Sequence, residues 1–351
     1  MRPFFFGHRP PTGLIVVRMI EASLFHPVAL VDELGERPLP VQLLGHELVL
    51  WRDSRGDVHA ADDRCPHRGA ALSLGRVQGD TLECAYHGWR FDGRGQCVAV
   101  PALPGFTPPA GHRACTHSVR LAFGLVWVAL EADVPADAPD RLPHFAAEQD
   151  AHLRKLCCGP YDVATSAPRI VENFLDMSHF GFVHEGLLGA REFTAMAPHA
   201  VEATANGFRA TGCRAWQPQS SLHATGGAIV EYTYEVNAPY SCVLTKVPDA
   251  ASVARADFRE SIALFVCPLT VERSRVWFRL AMNDFETSDA TLRAFQDKIF
   301  MQDRPVLESQ RPHALPILAG TSVTELHSAA DKSSAAYRRY LIERGITFGV
   351  C

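Results

Sequence analysis

The chain has 351 residues and a mass of 38.6 kDa, enough for two ordinary domains and too little for three. Apolar residues make up 47% and charged residues 21%, which excludes disorder and allows a sizeable core. A net charge of -5, with no basic run to offset it, speaks against nucleic acid as a partner.

Residues 1–22 read as a flexible leader. Their apolar part is cut by Pro10, Pro11 and Gly13 and no small-residue cleavage site follows, so no targeting role is expected and Met19 is a plausible start. No stretch approaches the roughly 20 apolar residues that span a bilayer, so no membrane partner is expected. The expected location is the cytoplasm, where thiols stay reduced. Most of the ten cysteines should then be core residues or metal ligands.

Residues 23–145 read as short strands and tight turns. Leu48–Trp51 and Val58–Ala61 flank a Ser-Arg-Gly-Asp turn, and Gly79-Asp80 joins a second hairpin. Phe123–Leu130 reads as a buried strand, and Asp133–Pro143, rich in Pro, Ala and Asp, as a linker. Residues 146–351 change rhythm. A helical segment covers Ile170–Val183. Val230, Tyr232, Tyr234 and Val236 then alternate with polar residues, and so do Val276, Phe278, Leu280 and Met282. Helices over 289–310 and 324–344 close the chain, the last stopped by Gly345. The fold class is α+β: a small all-β domain, then an antiparallel sheet packed with helices.

Cys65-Pro66-His67 is followed by Cys84-Ala85-Tyr86-His87, each pair in a loop beside a hairpin. Residues two apart in an extended segment share a face, so a turn can aim both at one point. Zinc sites favour other spacings, and a zinc-binding structural module is the weaker reading. Mixed Cys–His pairs, used twice, suit a cluster with two thiolates on one iron and two imidazoles on the other. RCPHRGAALSLG with CAYHGW resembles the Rieske [2Fe–2S] domain, in its oxygenase branch. The resemblance implies Cys65 and Cys84 on one iron and His67 and His87 on the other. Gly69 and Gly88 allow close backbone approach, and Trp89 can shield one side or serve as an ordinary core aromatic. Cys97 lies outside the pattern. Cys115, Cys157, Cys158, Cys213, Cys242, Cys267 and Cys351 have no ligand spacing and read as packing residues.

Asn173, Asp176 and His179 step along one helical face, while His184 lies five residues beyond His179. A straight helix turns those imidazoles about 140° apart, so the helix must end or bulge between them, with Gly181 as the expected place. Two His and a carboxylate with open positions is a non-haem Fe(II) arrangement. Asp303 shares a helix face with Ile299 and Val306, where a carboxylate must be paired or metal-bound. It could equally cap a new helix at Arg304-Pro305. N-x-x-D-x-x-H-x₄-H with the distal D-x-P-V-x-E-x-Q resembles the catalytic domain of Rieske non-haem iron oxygenase α-subunits, of helix-grip type. It implies His179, His184 and Asp303 as iron ligands, Asp176 as a bridging carboxylate and Asn173 as its neighbour in the site.

The resemblance covers about Ser23–Leu341. It implies a terminal oxygenase using O₂, a Rieske cluster and mononuclear Fe(II) on a small aromatic or heterocyclic substrate. In that family α-subunits form head-to-tail trimers with electron transfer between subunits. SHFGFVH, QDRPVLESQRP and ADKSSAAYRRYL resemble α-only monooxygenases and O-/N-demethylases, enzymes of aromatic compound catabolism. Cis-dihydroxylation is the main rival. A Rieske carrier fused to a non-catalytic ligand-binding domain is the non-enzyme reading. No G-x-G-x-x-G opens a helix after a strand, so NAD(P)H oxidation belongs on a separate reductase, with or without a ferredoxin. Phe180, Leu187, Trp216, Tyr232, Phe265 and Phe278 are candidate pocket residues.

Overall fold

The structure is a computed structural model and describes residues 19–132, 141–219, 222, 224, 226–248, 259–321 and 323–351. The first half runs β1 (His26–Leu30), β2 (Leu39–Leu43), β3 (His46–Arg52), β4 (Val58–Asp62), β5 (Arg76–Gln78), β6 (Thr81–Glu83), β7 (Arg90–Phe91), β8 (Cys97–Ala99), β9 (Thr116–Ala122) and β10 (Leu125–Ala129). Among the described residues, one sheet has the order β1-β10-β9-β4-β3-β2 and a smaller one the order β5-β6-β7-β8. Both expected hairpins form, with Leu50 opposite Ala60 and Val77 opposite Leu82. The strand expected from Phe123 starts at Leu125. Phe123 and Gly124, at φ 56° and 75°, are the two-residue turn from β9. A left-handed Phe is strained, and its ring is held by stacking on Phe265 at 5.1 Å.

The second half runs β11 (Arg154–Val163), α1 (Ala167–Leu175), α2 (Phe180–Val183), β12 (Ala200–Ala203), β13 (Phe208–Gln217), β14 (Ala228–Ala238), β15 (Ser241–Pro248), β16 (Glu260–Thr270), β17 (Arg273–Met282), α3 (Asp289–Ser309) and α4 (Lys332–Glu343). Its strands form one antiparallel sheet in the order β11-β17-β16-β15-β14-β13-β12. Tyr232, Tyr234, Phe278 and Leu280 face the helices, as their alternation predicts. Trp277 and Ala281 on the other face are also buried, where with Ala263 and Phe265 they meet Trp127 and Leu125 of the first half. The sheet is therefore covered on both sides at β15, β16 and β17. This is the α+β architecture expected from sequence.

Three expectations need correction. The helix over 170–183 is two pieces, broken between Leu175 and Phe180 rather than at Gly181. The last helix starts at Lys332, because Ser328 and Asp331 cap each other's backbone just before it; Gly345, at φ 68°, ends it as expected. Cys115 is exposed and Cys157 and Cys351 are half-buried, whereas Cys97, Cys158, Cys213, Cys242 and Cys267 are buried; all ten cysteines are free. Of the expected leader, residues 19–22 are described and packed: the buried Glu21 carboxylate accepts the N–H groups of Thr347 and Phe348 at 2.6 and 2.8 Å. Residues 1–18, and 133–140 of the expected linker, lie outside the described residues. Among the described residues no helix is long and apolar enough to cross a membrane.

Candidate metal centres

Two loops of matching shape carry the first constellation. In one, the Gly69 N–H closes on the Cys65 carbonyl at 2.8 Å; in the other, Gly88 closes on Cys84 at 3.0 Å. Gly69 and Gly88 have φ of 74° and 68°, which other residues rarely adopt. The loops face each other like to like. Cys65 and Cys84 are buried side by side, and burial together with the neighbouring Cys84 pushes the Cys65 thiol up to about 11. The His67 and His87 rings lie outward, 4.6 Å apart, with His87 exposed. Burial and the adjacent His87 hold the His67 pKa below its usual value. Trp89 stacks on His67 at 4.5 Å with planes 4° apart, which favours its shielding role. His112, which sequence reasoning missed, stacks behind Trp89 at 5.5 Å. Sorting thiols inward and imidazoles outward fits an asymmetric diiron cluster better than one tetrahedral ion.

The second constellation forms at the helix break. Asp176 leaves α1 in extended conformation, its Oδ1 accepting the Ser178 N–H at 2.7 Å and its Oδ2 lying 3.1 Å from His179 Nδ1. These local bonds replace helical ones, so a short acid ends the helix where periodicity would continue it. His179 and His184 then flank α2, and their rings come within 5.0 Å of each other. Asp303 lies inside α3, which runs on through Pro305, so it is not an N-cap. His179 Nε2 and His184 Nε2 lie 3.4 and 3.1 Å from the same Asp303 oxygen, which also accepts from the Asn173 amide at 3.4 Å. Two other acids of α3 are engaged elsewhere: Asp297 accepts from the Tyr161 hydroxyl, and Glu308 from the Ala164 N–H at 3.1 Å.

Electrostatics tests whether this donor set fits a cation. His179 Nδ1–H donates to Asp176, and His184 Nδ1–H donates to Gln302 Oε1 at 2.9 Å. Both Nε2 lone pairs are then left facing a carboxylate oxygen, a convergence that a divalent cation relieves. Burial opposes the Asp176 charge, but the His179 and Ser178 hydrogen bonds outweigh it and hold its pKa below the usual carboxylate range. Burial likewise lowers the His184 pKa, and the adjacent Asp303 more than reverses this. Gln302 had no signal in the sequence, since nothing in its spacing points to His184.

A cavity opens on this group, walled mostly by apolar side chains with a few polar groups among them. Phe180, Tyr232 and Phe278 line it as expected, whereas Leu187, Trp216 and Phe265 do not. Phe265 lies on the opposite sheet face, and Trp216 packs on Phe193 at 4.5 Å. Among the lining residues missed from sequence are Tyr234, whose buried hydroxyl has no hydrogen-bond partner among the described residues, and Gln296. Lys246 also lines the cavity, in a buried pair with Glu260 at 2.5 Å.

The Rieske [2Fe-2S] domain profile matches residues 25–120, and that of the vanillate O-demethylase oxygenase C-terminal domain matches residues 163–344. Methylxanthine N1-demethylase NdmA of Pseudomonas putida is 33% identical, over 91% of this chain and 88% of its own length. Methylxanthine N3-demethylase NdmB of the same organism is 30% identical, over 90% and 87%. The solved structure of NdmA with caffeine superposes with a TM-score of 0.78 at 29% identity, covering 92% of this chain and 90% of that one. The chain belongs to the Rieske non-haem iron oxygenases, as a terminal oxygenase of the demethylase and monooxygenase branch that uses a [2Fe–2S] cluster, a mononuclear iron and electrons from a separate reductase.

Proposed function

We propose that Cys65, His67, Cys84 and His87 hold the cluster, that His179, His184 and Asp303 hold the iron, and that the substrate is an N-methylated heteroaromatic of the purine class. The observation that carries the iron assignment is the convergence of two imidazole lone pairs on one Asp303 oxygen. When bound, the cluster supplies single electrons and the iron supplies O₂ activation.

The chain's own groups do the positioning. Gln302 and Asp176 fix the two imidazoles through their Nδ1–H groups, and the Asn173 amide steadies the Asp303 oxygen. Phe174, Phe180, Phe278 and Phe300 line the cavity with apolar surface that excludes water and suits a planar ring. The unpartnered Tyr234 hydroxyl and the Gln296 amide supply hydrogen bonds for a ring carbonyl or nitrogen. The net reaction takes O₂, two electrons and two protons. One oxygen enters a C–H bond of the methyl group and the other leaves as water, after which the hydroxymethyl amine releases formaldehyde.

The reading extends to assembly. His87 is exposed, and about 30% of the Asp176 side chain reaches solvent, which supports a head-to-tail homotrimer. In it His87 of one protomer faces Asp176 of the next, and Asp176 links the two centres electronically. The cluster domain spans 23–145 and the catalytic domain 146–351, and the ten free thiols fit a cytoplasmic location.

The test supplies a reductase and measures formaldehyde from a panel of N-methylpurines and O-methyl arenes. Formaldehyde from the purines supports the proposal. Release from the O-methyl arenes alone rejects the purine class, and a cis-diol without formaldehyde overturns demethylation by this chain. Robust NADH-driven turnover by the chain alone removes the separate reductase. Two irons per chain in place of about three remove the mononuclear site.

A further inference from the structure

We propose that Asp62, Cys115 and His117 form a further metal site in the first half of the molecule, suited to a borderline divalent cation of the zinc type. A carboxylate oxygen, a thiol sulfur and an imidazole nitrogen from these residues all lie within 4.8 Å of one another. Asp62 ends β4, His117 lies in β9 and Cys115 just precedes it; Ala60 pairs with His117 and the Asp62 N–H donates to the Cys115 carbonyl at 2.9 Å. The sheet register therefore fixes their spacing. No loop has to fold to bring them together.

The His117 ring carries the argument. It is almost wholly buried, with only 5% of its side chain exposed, and both nitrogens face oxygens. Nδ1 is 3.1 Å from the Leu130 carbonyl, and Nε2 is 2.8 Å from Asp62 Oδ1. A neutral imidazole has one N–H and cannot donate to both. With Nδ1–H donated to Leu130, the Nε2 lone pair is left against a carboxylate, the same convergence seen at His184 and Asp303. The Cys115 sulfur lies beside that carboxylate and is open to solvent, so a cation can enter and keep one position for water. Two charged neighbours already have partners, and Arg113 lies near enough to Cys115 to favour its thiolate. The Asp63 carboxylate is taken by Ser73 at 2.6 and 2.7 Å, and the Arg113 guanidinium donates to the Arg94 carbonyl at 2.9 Å.

Thiolate, imidazole and carboxylate together select zinc over magnesium or calcium, which prefer oxygen alone. Asp62 lies three residues before Cys65, so the ion fastens β9 to the strand that leads into the first cluster loop. The competing occupant is a proton on Nε2, which hydrogen-bonds His117 to Asp62.

The test uses the full chain with its cluster loaded and Asp303→Ala in every sample, so that the catalytic site does not compete. Samples are equilibrated with buffered zinc and assayed for zinc per chain, with the cluster's visible absorption as the check of integrity. We expect one zinc per chain, lost on adding Cys115→Ser or His117→Gln with the cluster spectrum unchanged. Cobalt(II) in place of zinc should give a thiolate charge-transfer band in the difference spectrum that Cys115→Ser abolishes. Zinc absent from the Asp303→Ala chain, or zinc retained in both added variants, overturns the site and leaves the His117–Asp62 hydrogen bond.

Discussion

The two metal centres are built by opposite means. The cluster loops are backbone devices: two glycines at positive φ, two short N–H to carbonyl closures, and, in each loop, a Cys and a His two or three residues apart. The catalytic site is a tertiary device. Its histidines flank one helical turn, its carboxylate comes from a helix more than a hundred residues later, and each imidazole is held by a further side chain. The first depends on local sequence, the second on how α1, α2 and α3 pack. Damage to one should therefore spare the other, and that separation can be tested.

The largest effect should come from Asp303→Ala. We expect loss of the mononuclear iron and of turnover, with the cluster's visible spectrum intact. Loss of both centres would break the comparison. Arg169→Ala comes next. Arg169 is 2% exposed and pairs with Glu325 at 2.7 and 3.0 Å, while Arg338 joins Glu325 to Glu172 on α1. Glu325 keeps Arg338 as a partner, so losing the buried Arg169 hydrogen bonds should cost about 1.5–3 kcal/mol, read by denaturant unfolding, with no change in the cluster spectrum.

The seam between the halves should respond to acid. His26 on β1 is fully buried, and burial lowers its pKa to about 4, against the partly compensating Glu21 carbonyl. The unfolded chain takes up that proton near 6.5, so between those values the folded state holds fewer protons. Stability is complete above 6.5 and falls as pH drops toward 4, by about 3 kcal/mol in all. His26→Gln should flatten that part of the pH–melting profile. An unchanged profile would remove His26 as its source.

Gln302→Leu leaves His184 Nδ1 without its acceptor and should weaken iron retention by about 10–100-fold, measured by chelator competition. The smallest effect belongs to the cluster side. Trp89→Leu removes the ring stacked on His67, worth about 0.5–1.5 kcal/mol, and should show as earlier thermal bleaching of the cluster.

Legibility in the sequence follows the same division. Cys65, His67, Cys84 and His87 were readable because their ligand spacing is local and the loop geometry follows from it. Asp303 was readable from spacing only as one of two options, because cap and ligand look alike until a neighbouring helix is placed. The break at Asp176 was misplaced to Gly181, since periodicity does not register a side chain that competes for backbone N–H groups. Gln302 and the Asp62–Cys115–His117 group left no trace, because strand register or helix packing joins residues far apart in the chain.

The double coverage of one half of the sheet has a consequence for how such an enzyme can change. Ile262, Leu264 and Phe278 face the cavity from β16 and β17, whose reverse sides are sealed against the first half. Tyr232 and Tyr234 face it from β14, whose reverse side carries the partly solvated Glu231, Thr233 and Glu235. Selection for a new substrate therefore meets one adjustable wall and one that doubles as the joint between halves. Variants that widen substrate range should accumulate on β14 and the helices, and those on β16 and β17 should need compensating changes near Trp127.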